Sequence, residues 1–154
     1  VQDRTPAGSE TRTDDDSISV RLLGAVASAG PGMGSEPSPD PPLKSLPFSR
    51  RLLAELGVKP ADARFLPSKG DSMEPNIKEN AIVLVDVSQS RAKDDGIYVL
   101  VAGNDVRIKR IGRSWDGAVE LISDNPLYPN DKLTALEAEA LRIAGKVVWA
   151  GGKI

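Results

Sequence analysis

A series of short apolar runs, most of them rich in Val and Ile and punctuated by Gly, Asn and Asp, constrains this chain more than any other feature. They fall at 64–69 (RFLPSK), 81–87 (AIVLVDV), 96–102 (GIYVLVA), 105–111 (DVRIKRI), 118–123 (AVELIS) and 143–149 (IAGKVVW). A run of this length with this punctuation is strand-like, and several in succession predict a mostly β fold. An earlier segment, 17–24 (SISVRLLG), alternates Ile18, Val20 and Leu22 and reads as a first strand. Gly103-Asn104 between two runs is a tight hairpin signal, and Asp116-Gly117 turns the chain after Trp115. One short helix is predicted over 49–57, with Ser49 as its N-cap and Gly57 as its stop. Residues 132–142 (KLTALEAEALR) fit either a helix or an extended segment. Six aromatics in 154 residues imply a modest, aliphatic core.

The front of the chain differs in kind. Residues 1–16 carry two arginines against five acids, lack hydrophobic periodicity and read as a disordered linker. Six of the twelve prolines fall in 27–47, a stretch that cannot be helix or central strand. These shifts divide the chain into a linker at 1–16, a strand and Pro-rich loop at 17–47, and a core at 48–154. Because the chain starts at Val1, it is expected to be part of a longer polypeptide. No apolar run approaches the length of a membrane span. The net charge is −2, a poor basis for gripping nucleic acid.

Two absences narrow the chemistry. The chain has no His and no Cys. That removes Ser-His-Asp triads, cysteine nucleophiles, disulfides and metal sites built on either residue, so neither a metal nor a cofactor is expected. Any nucleophile must be Ser, Thr, Lys, Asp or Glu, and any base a carboxylate, a Lys or an amine. Two strings meet that requirement. In Gly70-Asp71-Ser72-Met73-Glu74-Pro75, a Gly-led and Pro-closed turn can hold the Ser72 hydroxyl exposed with its own backbone N–H pointing outward, as a nucleophile and an oxyanion donor require. In Val106-Arg107-Ile108-Lys109-Arg110-Ile111, Ile108 and Ile111 form an aliphatic wall able to desolvate Lys109 toward its neutral form. The same residues also suit a bland reading, with Ser72 serving its turn and Lys109 on a solvated strand face.

In order along the chain, G-D-S-M-E-P, the run AIVLVD, V-R-I-K-R-I and L-I-S-D-N-P-L-Y-P resemble the C-terminal domain of LexA and phage CI/C2-type repressors, self-cleaving serine peptidases with a Ser-Lys dyad. The separation of 37 residues between Ser72 and Lys109 fits that family, and Gly24–Gly32 resembles its Ala-Gly self-cleavage segment. Where the family has a Gly-Asp pair after the Ser turn, this chain has Glu79-Asn80-Ala81. The resemblance implies a LexA-like β-clip fold with one or two short helices. It implies that Ser72 cuts the Ala29-Gly30 bond of its own chain, with Lys109 as base and backbone N–H groups around Asp71 and Ser72 holding the oxyanion. It further implies a homodimer, stimulation by a RecA filament on single-stranded DNA in the SOS response, and a cytoplasmic repressor that binds operator DNA through a missing N-terminal module. Three other readings remain open. A UmuD-type polymerase accessory protein cleaves itself similarly. A type I signal peptidase shares the Ser-Met-x-Pro turn, but would bring a membrane anchor and a later Gly-Asp-Asn box. A non-catalytic dimerisation module would keep the fold alone.

Overall fold

The computed structural model describes residues 16–23 and 44–152. The expected linker up to Asp15, most of the Pro-rich stretch and the Ala29-Gly30 bond lie outside the described residues. Nine strands form one sheet in the order β2-β1-β3-β4-β9-β5-β6-β7-β8. In chain order they are β1 (Ser17–Leu22), β2 (Ser45–Ser49), β3 (Ala63–Pro67), β4 (Ile82–Asp86), β5 (Gly96–Ala102), β6 (Asp105–Arg113), β7 (Val119–Ile122), β8 (Asp131–Leu133) and β9 (Arg142–Gly151). Two short helices, α1 (Arg50–Glu55) and α2 (Ala135–Glu139), complete the mostly β fold that the sequence predicts.

Local chemistry accounts for most of these elements. Ser49 caps α1, its Oγ accepting from the Leu52 N–H at 3.2 Å, and Gly57 leaves the helix with φ +73°. Ala102 pairs with Asp105, so Gly103-Asn104 is a two-residue hairpin loop in which Gly103 takes φ +61°. The ambiguous segment 132–142 is both things at once. It supplies the end of β8, the whole of α2, which is started by a capping box between Thr134 and Glu137, and the first residue of β9. β2 departs from expectation: Ser45–Ser49 is a strand although it contains Pro47, and it crosses the 47/48 boundary drawn from composition. The reason is its place at the sheet edge, where a proline need not donate to a ladder.

Three apolar clusters hold the sheet. The first joins Val20, Phe48, Leu53, Val58, Ala63, Phe65 and Leu84, with Phe48, Phe65 and the half-buried Trp149 meeting edge to face. It is more aromatic than the composition suggests, because half of the chain's aromatics gather there. The second runs through Leu66, Met73, Ile77, Val83, Val85 and Val99. The third holds Tyr98, Leu100, Ile111 and Val119 beside α2. Val147, Val148 and Trp149, a candidate contact surface from sequence, pack half-buried against the first two clusters. Two register shifts bend the pairings of β9 with β4 and β5. There Gly145 approaches so closely that an added Cβ would lie 2.7 Å from the Asp86 carbonyl oxygen.

Leu53 is the only fully buried side chain of α1 and its anchor to the first cluster. Leu53→Ala should therefore cost about 2–4 kcal/mol. In urea unfolding the midpoint should fall with an unchanged slope.

Candidate active site

The Ser72 turn is pinned from below. β3 ends at Pro67, the Ser68 N–H donates to the Ala81 carbonyl, and the Asn80 N–H donates back to Ser68, closing a neck around residues 68–81. Inside that loop Met73 and Ile77 are buried, 3% and 2% exposed, and anchor it to the second cluster. With its successor drawn into the core, half-buried Ser72 is left on the rim. Asn80, beside the neck, takes φ +62°, a left-handed conformation that Asn tolerates better than most residues.

Lys109 lies in β6, which pairs with β5 over Asp105–Ile111 but with β7 only over Arg110–Arg113. Among the described residues, Val106–Lys109 therefore have a strand neighbour on one side alone. Their other side faces the Ser72 loop across a cleft of about 390 Å³. Leu66, Met73, Val106 and Ile108 give it apolar walls, and Ser72, Lys109, Asp71 and Tyr128 its polar rim. The two residues singled out from sequence thus share one cleft. Ile111 does not line it; it packs further along β6 in the third cluster, with Tyr98 and Val119.

Among the described residues no hydrogen bond joins Ser72 Oγ to Lys109 Nζ. The Lys109 ammonium donates instead to Ser123 Oγ at 2.5 Å, and Ser123 is buried. Lys109 forms no ion pair among the described residues. Burial holds its pKa below the ordinary lysine value, and the like charge of Arg107 adds to this against a weaker pull from Asp131. The Tyr128 ring lies 5.9 Å from Nζ, and its hydroxyl donates to the Asp71 carboxylate. The N–H groups of Asp71 and Ser72 donate to no acceptor among the described residues, as an oxyanion site requires.

The loop that borders both residues lies in the L-I-S-D-N-P-L-Y-P motif, to which sequence reasoning gave no role at the site. Asn125 donates from its N–H to the Ser72 carbonyl and from Nδ2 to the Asp71 carbonyl, each at 3.0 Å. Asp124 receives Arg110 Nε at 2.8 Å, Arg110 Nη2 at 2.9 Å and Asn76 Nδ2 at 2.7 Å, which together hold its carboxyl below the usual range. The signal was available. Arg110 pairs with Ile122 in the hairpin turned at Asp116-Gly117, and one step further along that register sets Lys109 opposite Ser123.

Residues 22–148 match the family described as Peptidase S24-like. An uncharacterized HTH-type transcriptional regulator of Haemophilus influenzae is 40% identical over 106 residues, 68% of this chain and 44% of that protein. The repressor protein CI of Enterobacteria phage phi80 is 31% identical over 141 residues, covering 90% and 58%. The HTH-type transcriptional regulator PrtR of Pseudomonas aeruginosa is 29% identical over 147 residues, covering 94% and 57%. The chain spans about half the length of these relatives. Among the described residues no helix is long and apolar enough to cross a membrane, and no acidic cluster could hold a metal ion.

A desolvated lysine beside a like charge should titrate early. In the Ser72→Ala protein, the ¹³Cε resonance of Lys109 should have its midpoint below the unperturbed value of about 10.4. Arg107→Ala, which removes a repulsion on the charged form, should move that midpoint upward. A midpoint at or above the unperturbed value would contradict the geometry.

Proposed function

The chain belongs to the Peptidase S24-like family, and on that premise we propose that it is the self-cleaving, dimerising C-terminal part of a LexA/CI-type transcriptional repressor. The observation that carries the reading is the shared cleft. Ser72 and Lys109 border one hollow, and the lysine there is desolvated and, among the described residues, without a carboxylate partner, as a base that must be neutral requires.

Neutral Lys109 takes the Ser72 proton as Oγ attacks the carbonyl carbon of Ala29. The N–H groups of Asp71 and Ser72 receive the oxyanion. The C–N bond to Gly30 breaks, its amine leaves with the proton from Lys109, and Ala29 remains as an ester on Ser72. Water, deprotonated by Lys109, then hydrolyses the ester and frees the serine. Strand geometry supports cleavage within one chain. β1 runs parallel to β3 with Leu22 opposite Phe65, and Ala29 and Ser72 stand the same 43 positions apart. A segment leaving β1 thus has the length to reach the nucleophile, and tethering gives it a high effective concentration.

In this reading the chain is a homodimer in the cytoplasm, and an N-terminal module, joined through residues 1–16, binds operator DNA. Residues 17–47 carry the cleavage segment, and 48–154 form the catalytic and dimerising core. A RecA filament on single-stranded DNA favours the cleavable state in the SOS response. The likeness to repressors and an HTH-type transcriptional regulator favours a repressor over a polymerase accessory protein.

Mass spectrometry of the purified chain after alkaline incubation tests this. Fragments 1–29 and 30–154 should accumulate. Ser72→Ala and Lys109→Ala should each slow their formation by at least about a hundredfold. Cleavage at the parent rate in Ser72→Ala would overturn the reading.

A further inference from the structure

Three consecutive residues, Ser123, Asp124 and Asn125, touch both sides of the cleft in three separate ways. The Ser123 hydroxyl accepts from Lys109 Nζ at 2.5 Å. Asn125 donates to the carbonyls of Asp71 and Ser72. Between them the Asp124 carboxylate, its side chain 6% exposed, joins Arg110 on the strand of Lys109 to Asn76 on the loop of Ser72. Ser123 and Asn125 are both buried. The same three residues therefore fix the position of Lys109, the carbonyls around Ser72, and the spacing between the elements that carry them.

We propose that the Ser123–Asn125 loop is the positioning device of the dyad, with Ser123 orienting Lys109 and Asn125 orienting the Ser72 turn. This rests on the self-cleavage reading above. With an N–H of Lys109 committed to Ser123, the amine has a fixed direction, and its lone pair is not free to sweep the cleft. Asn125 acts on the other partner: by bonding the Asp71 carbonyl it sets the plane of the peptide that carries the Ser72 N–H, and by bonding the Ser72 carbonyl it holds the next peptide, so that the nucleophile's residue is fixed on both sides. Neither is a catalytic residue, because neither meets the scissile bond.

The charged and titratable groups around Lys109 are Arg107 on its own strand, Asp131 at the start of β8, Tyr128 beyond the loop and Asp71 across the cleft. Asp124 is committed to Arg110 and Asn76. The Ser123 hydroxyl is thus the neutral acceptor that distinguishes charged from uncharged Lys109. It favours the ammonium, because a hydrogen bond from a charged donor is the stronger one.

The test is the first-order self-cleavage rate of the 154-residue chain against pH. Ser123→Ala should lower the alkaline plateau about ten- to a hundredfold through lost orientation. It should also move the inflection to lower pH, since the ammonium loses its acceptor. Ser123→Thr keeps the hydroxyl and should stay within a few-fold of the parent. Asn125→Ala should lower the plateau and leave the inflection in place, because it touches only the serine side. A parent-like profile in Ser123→Ala would overturn the proposal. Equal losses in the Ala and Thr variants with an unmoved inflection would do the same, since that is the mark of altered packing. Should the parent show no Ser72-dependent cleavage, the self-cleavage reading fails by itself. The Lys109 ¹³Cε titration in the Ser72→Ala background then decides the Ser123 contact: Ser123→Ala must lower its midpoint, and an unchanged midpoint rejects the contact.

Discussion

In the proposed reaction, a lysine that has to lose its proton is the constraint around which this cleft is arranged. With no histidine in the chain, the base for a serine nucleophile falls to an amine, and free lysine at pH 7.4 is neutral in about one molecule in a thousand. Burial and a like-charged neighbour act in the needed direction, and a carboxylate partner would cancel them. Strand alternation solves the problem. Lys109 and Arg110 are adjacent in β6 and point to opposite faces; one step past the Arg110–Ile122 pair, Ser123 comes opposite Lys109, and Asp124, two positions past Ile122, returns to the face of Arg110. The carboxylate therefore meets the arginine and the hydroxyl meets the lysine. A one-residue slip of this hairpin would exchange the partners and hold Lys109 charged.

Much of the fold was legible because its strand signals are local. The Val- and Ile-rich runs, the Gly103-Asn104 loop and the Ser49–Gly57 helix limits all express preferences of the residues themselves. Where sequence reasoning fell short, tertiary placement decided. Pro47 argues against a strand, yet an edge position opposite β1 asks nothing of its missing N–H. The segment 132–142 looked undecided because it joins two elements to the start of a third. Its Thr134-x-x-Glu137 capping box was the local signal that separates them.

The site divides in the same way. Ser72 and Lys109 stood out because their surroundings are contiguous in sequence: a Gly-led turn closed by Pro, and an alternating strand. Their supports are not contiguous. Ser123 is fourteen positions from Lys109, and Asn125 is 54 from Asp71, so only the register of the β6–β7 hairpin and the closure of the loop reveal them. The expected aliphatic wall is real on one side only. Ile108 lines the cleft with Val106, Leu66 and Met73, while Ile111 packs with Tyr98 and Val119 in another cluster.

The central claim is that neutral Lys109 is the base of a self-cleaving serine site. The most direct measurement is the self-cleavage rate of Lys109→Arg beside the parent between about pH 6 and 11, a range in which arginine keeps its proton. The parent rate should rise through the depressed Lys109 pKa and then level off, while the arginine variant stays at background throughout. An arginine variant that matched the parent at high pH would show that hydroxide or another group removes the serine proton, and would contradict the role of Lys109 as the base.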